Sequence, residues 1–418
     1  MSKTIAEKIL STKSGGDAHA NDIVVADLDF VMGQDGTSGL AINALAEMEA
    51  ERVFNPNKVA MVIDHSAPSP LQGVSRLHHQ MREFARQHRI HFYDIGDGVC
   101  HQLLPEQGHV VPGDLVIGAD SHTCTYGAIN VFSTGVGSTD LAAGMRSGKL
   151  WFKVPETFRF QVDGLLPPGV FSKDLILYLI GDVTADGATY MSAEYLGEAI
   201  DALSVEARFT ISNMAIEMGA KCGLMKADEK TLEWVRQHSS RPLQPVEPDP
   251  DAVYALSKHY DVSELEPQVA KPHTVDNVSP VGELSRVEIQ QGVIGTCTNG
   301  RLEDLRIAAT ILRGRKIHPQ CRLIVAPASR QVMLEAMREG LIADFIEAGA
   351  AVVTPGCGPC VGTHNGVPSD GENVISTANR NFKGRMGNPD AFIYLASPAT
   401  VAASVLTGFI SDPREFFK

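Results

Sequence analysis

The chain has 418 residues, 44% of them hydrophobic and 21% charged, as in an ordinary soluble globular protein. A chain of this length is too long to fold around one hydrophobic core, so we expect several domains. Its formal net charge of −14 argues against nucleic acid or an anionic membrane surface as the main partner. No apolar stretch approaches membrane-spanning length and the N-terminus lacks a signal-peptide core, so we expect a cytoplasmic protein with no membrane partner.

The N-terminal third alternates strand-like and helical segments. KVAMVID (58–64) and DLVIGAD (114–120) are short apolar runs of strand length that end in an acidic residue. Between them, Leu77, Met81 and Phe84 recur at helical spacing within residues 74–88, and IHFYDIG predicts a further strand. Polar motifs follow these strands, and the carboxyl edge of the sheet is where α/β folds place their sites.

The pattern of apolar and polar residues changes near residue 155. TFRFQVDG predicts a strand, KDLILYLIGDV a helix, and ARFTISNMAIEMGAK a strand entering a helix. Residues 239–280 are polar and rich in proline, which indicates a connecting excursion, and the last third returns to α/β alternation. These changes divide the chain into segments 1–155, 156–285 and 286–418.

The strongest local signal is PGCGPC at residues 355–360. Cys357 and Cys360 stand two residues apart inside glycine and proline turns, which let backbone amides face the sulfurs, as suits metal or cluster binding. Cys297 has a similar setting in GTCTNGR, after the strand-like QGVI. Because both motifs follow strands in the last third, we expect them to face one crevice.

Spacing alone leaves other kinds of cysteine site open. A structural zinc site needs four ligands, and a second CxxC is missing. A redox CxxC normally opens a helix in a much smaller βαβ domain. A cubane cluster needs one ligand per iron, so three thiolates would leave one iron open as a Lewis acid.

The motifs, taken in order, resemble the aconitase superfamily. GADSHTCTYGA (118–128), GTCTNGR (295–301), PGCGPC (355–360) and STANRNFKGR (376–385) are together far more specific than a single CxxC. The resemblance covers essentially the whole chain and is closest to the large subunits of 3-isopropylmalate dehydratase and homoaconitase. It implies an α/β fold with three domains of aconitase type around a central cluster-binding cleft.

The resemblance also implies a cofactor and a set of proton donors. One 4Fe–4S cluster per subunit would be held by Cys297, Cys357 and Cys360, with one iron open to the substrate's hydroxyl and a carboxylate. Histidines held by carboxylates would transfer protons, and the pair of Asp64 and His65 would assist departure of the hydroxyl. The catalytic positions implied by the motifs are Asp64 with His65, Asp120 with His122, His101, and Glu194 in AEYLG.

Substrate carboxylates need forked cationic partners, and arginine supplies that geometry. Arg380 and Arg385, in ANRNFKGR, resemble the family's carboxylate-binding arginines. The remaining matches are Gln34 and Ser121, at positions that touch substrate carboxylates, and Asn299 and Asn379, at positions whose amides hydrogen-bond the cluster region.

The resemblance further implies dependence on a partner. Single-chain aconitases have an additional mobile domain that supplies a serine base, and no serine of this sequence matches it. We therefore expect the large subunit of a hydro-lyase, active only with a separate small, swivelling-domain subunit that carries this serine. The leading substrate is 3-isopropylmalate, of leucine biosynthesis. Homoaconitate, 2,3-dimethylmalate or citramalate is the alternative, because the small subunit carries the pocket for the variable group.

A function of another class is an RNA-binding regulator, as some apo-aconitases are. The net charge of −14 and the lack of a basic run oppose it. A scaffold that has lost catalysis is opposed by the intact cysteines, histidines and arginines.

Overall fold

The computed structural model describes residues 2–417. Its first part is a five-stranded sheet in the order β4-β3-β2-β5-β6, parallel throughout, beside a separate ribbon in which β1 and β7 run antiparallel. The strands of the five-stranded sheet read as apolar runs because helices cover its faces. The elements are α1 (Ile5–Ser14), β1 (Ile23–Asp27), β2 (Phe30–Gln34), α2 (Ser38–Glu47), β3 (Val59–Val62), α3 (Gln72–His88), β4 (His91–Tyr93), α4 (Cys100–Glu106), β5 (Leu115–Gly118), β6 (Phe132–Gly135), α5 (Ser138–Ser147) and β7 (Lys149–Lys153).

The second part is a four-stranded parallel sheet in the order β10-β9-β8-β11. Strand β11 lies inside the predicted connecting excursion, so that part of the prediction is wrong. ARFTISN, predicted as a strand, belongs to helix α8, which is buried on most sides and therefore lacks a polar face to mark its period. The elements are β8 (Thr157–Asp163), α6 (Ser172–Val183), β9 (Ser192–Leu196), α7 (Glu198–Ala202), α8 (Val205–Asn213), β10 (Cys222–Met225), α9 (Glu229–His238) and β11 (Leu256–Asp261).

The third part is a seven-stranded sheet in the order β13-β12-β18-β17-β14-β15-β16, parallel except at β12 and β13. Those two strands lie in the segment assigned to residues 156–285 but pair in this sheet. The elements are β12 (Gln268–Ala270), β13 (Val278–Pro280), β14 (Gln291–Gly295), α10 (Thr296–Asn299), α11 (Leu302–Leu312), β15 (Arg322–Ala326), α12 (Arg330–Arg338), α13 (Leu341–Ala348), β16 (Ala351–Val352), α14 (Gly358–Val361), β17 (Asn373–Ser376), β18 (Phe392–Leu395) and α15 (Pro398–Thr407).

Buried side chains join the three sheets. One apolar cluster contains Phe160 of the second sheet and Val374 of the third, and another contains Val62 of the first sheet together with Phe209 of α8 and Cys297. The loops after β3, β5, β14 and β16 therefore meet where the sheets adjoin. Among the described helices, none has both the length and the apolar character needed to cross a membrane.

Candidate active site

Three of the seven cysteines follow strands of the third sheet. Cys297 lies in α10 after β14, and Cys357 and Cys360 lie at α14 after β16; all three side chains are buried. Asn379 stands between two of them, with its Nδ2 3.5 Å from Cys297 Sγ and its Oδ1 3.5 Å from Cys360 Sγ. The structure thus brings the two cysteine motifs together.

The surroundings of these sulfurs suit a cofactor larger than a single ion. The Cys357 side chain and the Arg385 guanidinium, whose Nη2 lies 3.2 Å from Cys360 Sγ, hold the pKa of Cys360 well below its usual range, and the thiolate is the metal-binding form. The three cysteines do not form a group with ligand atoms within 4.8 Å of one another. Three buried cysteine sulfurs with amide and guanidinium donors beside them fit an iron–sulfur cluster. Among the described residues, the groups that do lie that close are His101 with Asp120 and His122, and Asp35 with Asp64 and His65.

A chain of histidines and carboxylates lies at the carboxyl edge of the first sheet. Nδ1 of His65 lies 2.7 Å from Asp64 Oδ1, and its Nε2 lies 3.3 Å from Asp120 Oδ2. The other oxygen of Asp120 lies 2.8 Å from Nε2 of His101. Asp64 and Asp120 come two residues after β3 and β5, so the sheet itself sets the positions of these carboxylates.

The charges within this chain stabilise one protonation state. Burial disfavours a charged His65, but Asp64 and Asp120 raise its pKa well above the usual range. Burial likewise opposes ionisation of Asp120, whereas the charge of His101 and several hydrogen bonds lower its pKa well below the usual range. At neutral pH a protonated imidazole therefore stands between two carboxylates. Such a group can give a proton to a departing oxygen.

Backbone contacts join the histidine chain to the cysteine turn. The amide of Cys357 donates to the carbonyl of Asp64 over 2.7 Å, and the hydroxyl of Thr363 donates to the carbonyl of His65 over 2.6 Å. Gly356 permits this approach, because a Cβ there would stand 2.9 Å from the Asp64 carbonyl oxygen. The turn that carries His65 and the buried sulfurs are therefore held at a fixed separation.

A second charged group contains Glu217, which the sequence analysis did not single out. Its Oε1 lies 2.7 Å from His122 Nε2, and Arg380 Nε donates to both its oxygens over 2.9 and 3.0 Å. Burial opposes ionisation of Glu217, yet the hydrogen bond from His122 and the charge of Arg380 lower its pKa. One sequence signal was present: Asn213 and Glu217 stand four residues apart, about one helical turn, in the otherwise apolar SNMAIEM.

Glu194, predicted as a catalytic position, is buried in the second sheet. Within β9 its carboxylate accepts hydrogen bonds from the Ile5 amide over 2.6 Å and the Tyr254 hydroxyl over 3.1 Å. It thereby anchors the start of α1 to the second sheet. The catalytic role of Glu194 stays a prediction, and Glu217 is the glutamate that contacts His122.

The side-chain amide of Asn299 bonds oxygen atoms, and its predicted contact with the cluster region stays a prediction. Its Nδ2 donates to Thr210 over 3.2 Å and to Asp304 over 2.8 Å. Asn213 lies beside the sulfurs instead, with its Nδ2 3.4 Å from Cys297 Sγ. The amides that contact the buried sulfurs are therefore those of Asn379 and Asn213.

Gln34 and Ser121 line a cavity of about 670 Å³ that reaches Asp120. Nε2 of Gln34 lies 3.4 Å from Asp120 Oδ2, and Ser121 is exposed. The two residues predicted to touch substrate therefore stand where a molecule entering from solvent would meet the histidine chain.

Asp35 and Lys173 support the site and were missed. The carboxylate of Asp35 accepts from the backbone amides of Asp64, His65 and Ser66 over 2.7 to 3.1 Å, which fixes the turn after β3. Nζ of Lys173 donates to the carbonyls of residues 377 and 378 over 3.0 and 2.6 Å, just before Asn379 and Arg380. Burial lowers the pKa of Lys173 to about 7. In the sequence, the position of Lys173 at the start of the apolar segment KDLILYLIGDV could have indicated that this lysine is buried.

The location of Glu194 predicts a specific pH dependence of stability. Burial raises its pKa to about 7, against an ordinary value near 4.5. Between these two values the unfolded chain has released the proton and the folded chain retains it, so the free energy of unfolding falls as pH rises. We expect Glu194→Gln to remove this fall, which is on the order of 3 kcal/mol for a shift of this size. Urea denaturation at several pH values from 4.5 to 8 measures it.

The matched control is Glu51→Gln, because Glu51 is exposed and makes no side-chain hydrogen bond within residues 2–417. Its stability profile should run parallel to that of the unaltered chain. A Glu194→Gln profile that is also parallel would contradict the proposed burial effect.

Known proteins are similar in sequence to this chain over most or all of its length. The aconitase family (aconitate hydratase) profile matches residues 7–286 and 282–408. The 3-isopropylmalate dehydratase large subunit 1 of Methanopyrus kandleri is 53% identical over 100% of both chains, and large subunit 2 of Archaeoglobus fulgidus is 54% identical, again over 100% of both. The probable methanogen homoaconitase large subunit of Methanosarcina mazei is 53% identical over 94% of this chain and 100% of its own.

Proposed function

The chain belongs to the aconitase family, and we propose that it is the large subunit of a hydro-lyase that dehydrates and rehydrates a hydroxy-dicarboxylic acid at a 4Fe–4S cluster. The observation that carries the proposal is the backbone contact between the turn that bears His65 and the cysteine turn, made by the Asp64 carbonyl and the Cys357 amide. A proton donor and a metal-binding set of thiols at one point are what removal of a hydroxyl requires.

The cluster would be held by Cys297, Cys357 and Cys360. These sulfurs are buried, and Asn379 and Asn213 stand beside them. With three protein ligands for four irons, the bound cluster supplies one open Lewis-acidic iron that weakens the carbon–oxygen bond of a substrate hydroxyl.

The residues of this chain supply the acid for the reaction. Nδ1 of His65 is held closely by Asp64, at 2.7 Å, whereas its Nε2 lies 3.3 Å from Asp120. The Nε2 proton is therefore the one more easily transferred to the departing hydroxyl, which leaves as water. A base removes a proton from the neighbouring carbon, and the electron pair of that carbon–hydrogen bond forms the double bond.

Arg380 and Arg385 are suited to hold the substrate's carboxylates. Arg380 uses Nε for Glu217, which leaves its terminal nitrogens for a ligand, while Arg385 places Nη2 at Cys360 and has a buried Nε without a hydrogen-bond partner among the described residues. A planar guanidinium group beside the sulfurs can bind a carboxylate through two parallel hydrogen bonds.

We expect Arg380→Lys and Arg385→Lys to impair turnover much more than folding. Lysine keeps the charge but loses the fork, and one lost charge-assisted contact costs about 1.5–3 kcal/mol, which lowers kcat/KM by about 10–150-fold. Steady-state rates and thermal unfolding of each variant separate the two effects.

Arg306→Lys is the matched control, because Arg306 makes an exposed ion pair with Glu339 that should contribute little. Rates near those of the unaltered enzyme in both site variants would show that Arg380 and Arg385 serve the structure alone.

The substrate is proposed from the relatives. Those with 53% and 54% identity over the full chain are named for 3-isopropylmalate, which makes this compound the leading candidate. Homoaconitate is the second candidate, because a relative named for homoaconitase is also 53% identical. The names of all three describe large subunits, and we propose a small subunit that supplies the serine base.

The test is anaerobic co-purification with the small subunit, followed by turnover of hydroxy-dicarboxylic acids that differ only in side chain. We expect 3-isopropylmalate to be dehydrated fastest. A preference for homocitrate or homoaconitate would favour the second candidate, and no turnover of any of these acids would contradict the proposed reaction.

A further inference from the structure

The ribbon of β1 and β7 has an unusual outer face. Its inner face buries Ala26, Leu150 and Phe152 in the core of the first part. On its outer face Val25 pairs with Trp151, and two positions further along Ile23 pairs with Lys153. The side chains of Val25, Trp151 and Ile23 are 60%, 57% and 74% exposed. The solvent side of an antiparallel ribbon is normally polar, and a cluster of large exposed apolar side chains marks an interaction surface.

This face is continuous with the catalytic cavity. Trp151 and Lys153 of β7 line the same 670 Å³ cavity as Gln34, Asp120 and Ser121. A partner seated on the ribbon would therefore cover the mouth of this cavity and could reach the substrate with its own side chains. Continuity with this cavity favours a partner whose docking bears on the reaction.

Two lysines stand around Tyr190 at the rim of the cavity. The ammonium groups of Lys153 and Lys221 lie 5.7 and 4.8 Å from the centre of the Tyr190 ring, and Tyr190 is 39% exposed. Within residues 2–417, no carboxylate oxygen lies within 4.0 Å of either ammonium. In a chain of net charge −14, two such lysines favour a partner that brings a carboxylate.

We propose that the face formed by Ile23, Val25 and Trp151, with Tyr190 and its two lysines at the rim, is the docking surface for the small subunit. This inference rests on the proposed function, which requires a second chain at the mouth of the site. The partner's complementary surface has an apolar centre that receives Trp151 and an acidic residue that meets Lys153 or Lys221. Large aromatic side chains surrounded by polar groups are the usual centres of such interfaces.

The test measures binding of the purified small subunit of isopropylmalate dehydratase from the same source, without substrate. Trp151→Glu and Val25→Glu should each weaken binding about thirtyfold or more, the usual loss at a central interface residue. Lys153→Glu should slow association and reduce its dependence on salt. Ile346→Glu is the control, because Ile346 on α13 is 59% exposed and lies outside the ribbon. Trp151→Ala adds a variant that introduces no new charge.

Unchanged affinity in the folded Trp151→Ala and Trp151→Glu variants would overturn the docking surface. Binding and turnover give separate answers. An active complex that is insensitive to these substitutions would overturn the docking surface and leave the proposed function in place. A complex that depends on Trp151 but shows no hydro-lyase turnover would overturn the function and leave the surface in place.

Discussion

Replacement of Cys357 by serine is expected to leave the chain without a complete iron–sulfur cluster and to abolish turnover of the assembled enzyme. A serine hydroxyl is a far weaker ligand than a thiolate, and Cys357 is one of only three thiolates proposed to hold the cluster. Iron and sulfide counts on anaerobically reconstituted protein measure the effect directly. Cys297→Ser and Cys360→Ser should behave in the same way.

Cys321→Ser is the matched control for this loss. Cys321 is buried directly before β15, and its Sγ donates to the carbonyl of Ile289 over 2.8 Å, a hydrogen bond that a serine hydroxyl can also make. We expect this variant to keep its iron and its activity. A full cluster in Cys357→Ser would refute the assignment of the three ligands.

Without its small subunit, the chain is expected to show negligible turnover even when its cluster is intact. Dehydration needs an acid at the hydroxyl and a base at the neighbouring carbon, and each such group is commonly worth about 10²–10⁴-fold in rate. In the proposed reaction His65 supplies the acid, and the partner supplies the serine base. Titrating the small subunit into a fixed amount of large subunit, with double-bond absorbance as the signal, measures the dependence.

Small subunits from two pathways make this experiment more informative. The preference among hydroxy-dicarboxylic acids should follow the small subunit that is added. Robust turnover by the large subunit alone would refute the division of labour, and an unchanged preference after the exchange would place specificity in this chain.

The sequence predicted the parts of the molecule that depend on neighbouring residues. Short apolar runs predicted the strands before Asp64, Asp120 and Cys297, and parallel pairing then places the residues after each strand at one edge. The cysteine turns, the histidine chain and the two arginines could be selected because each stands in a short, specific motif.

Contacts between distant segments could not be predicted in this way. Glu194 and Glu217 are both buried acids, and only tertiary packing places Glu217 against His122, 95 residues away, and Glu194 against the start of α1. Helix α8 was mistaken for a strand because a helix buried on most sides has no polar face, and its Phe209, Thr210 and Ile211 favour strands.

The joining of the Thr363 hydroxyl to the carbonyl of His65 has a kinetic consequence, because these residues are 298 positions apart. The contact of Lys173 with residue 378 spans 205 positions. The candidate active site is therefore assembled from segments that meet only after long loops have closed. Such contacts carry a high entropic cost and form late in folding. The cysteine turn can therefore bind iron only in a nearly native chain, so the iron content of the protein indicates how much of it has completed folding. Chains that have not finished folding are exposed to proteolysis before they can take up metal.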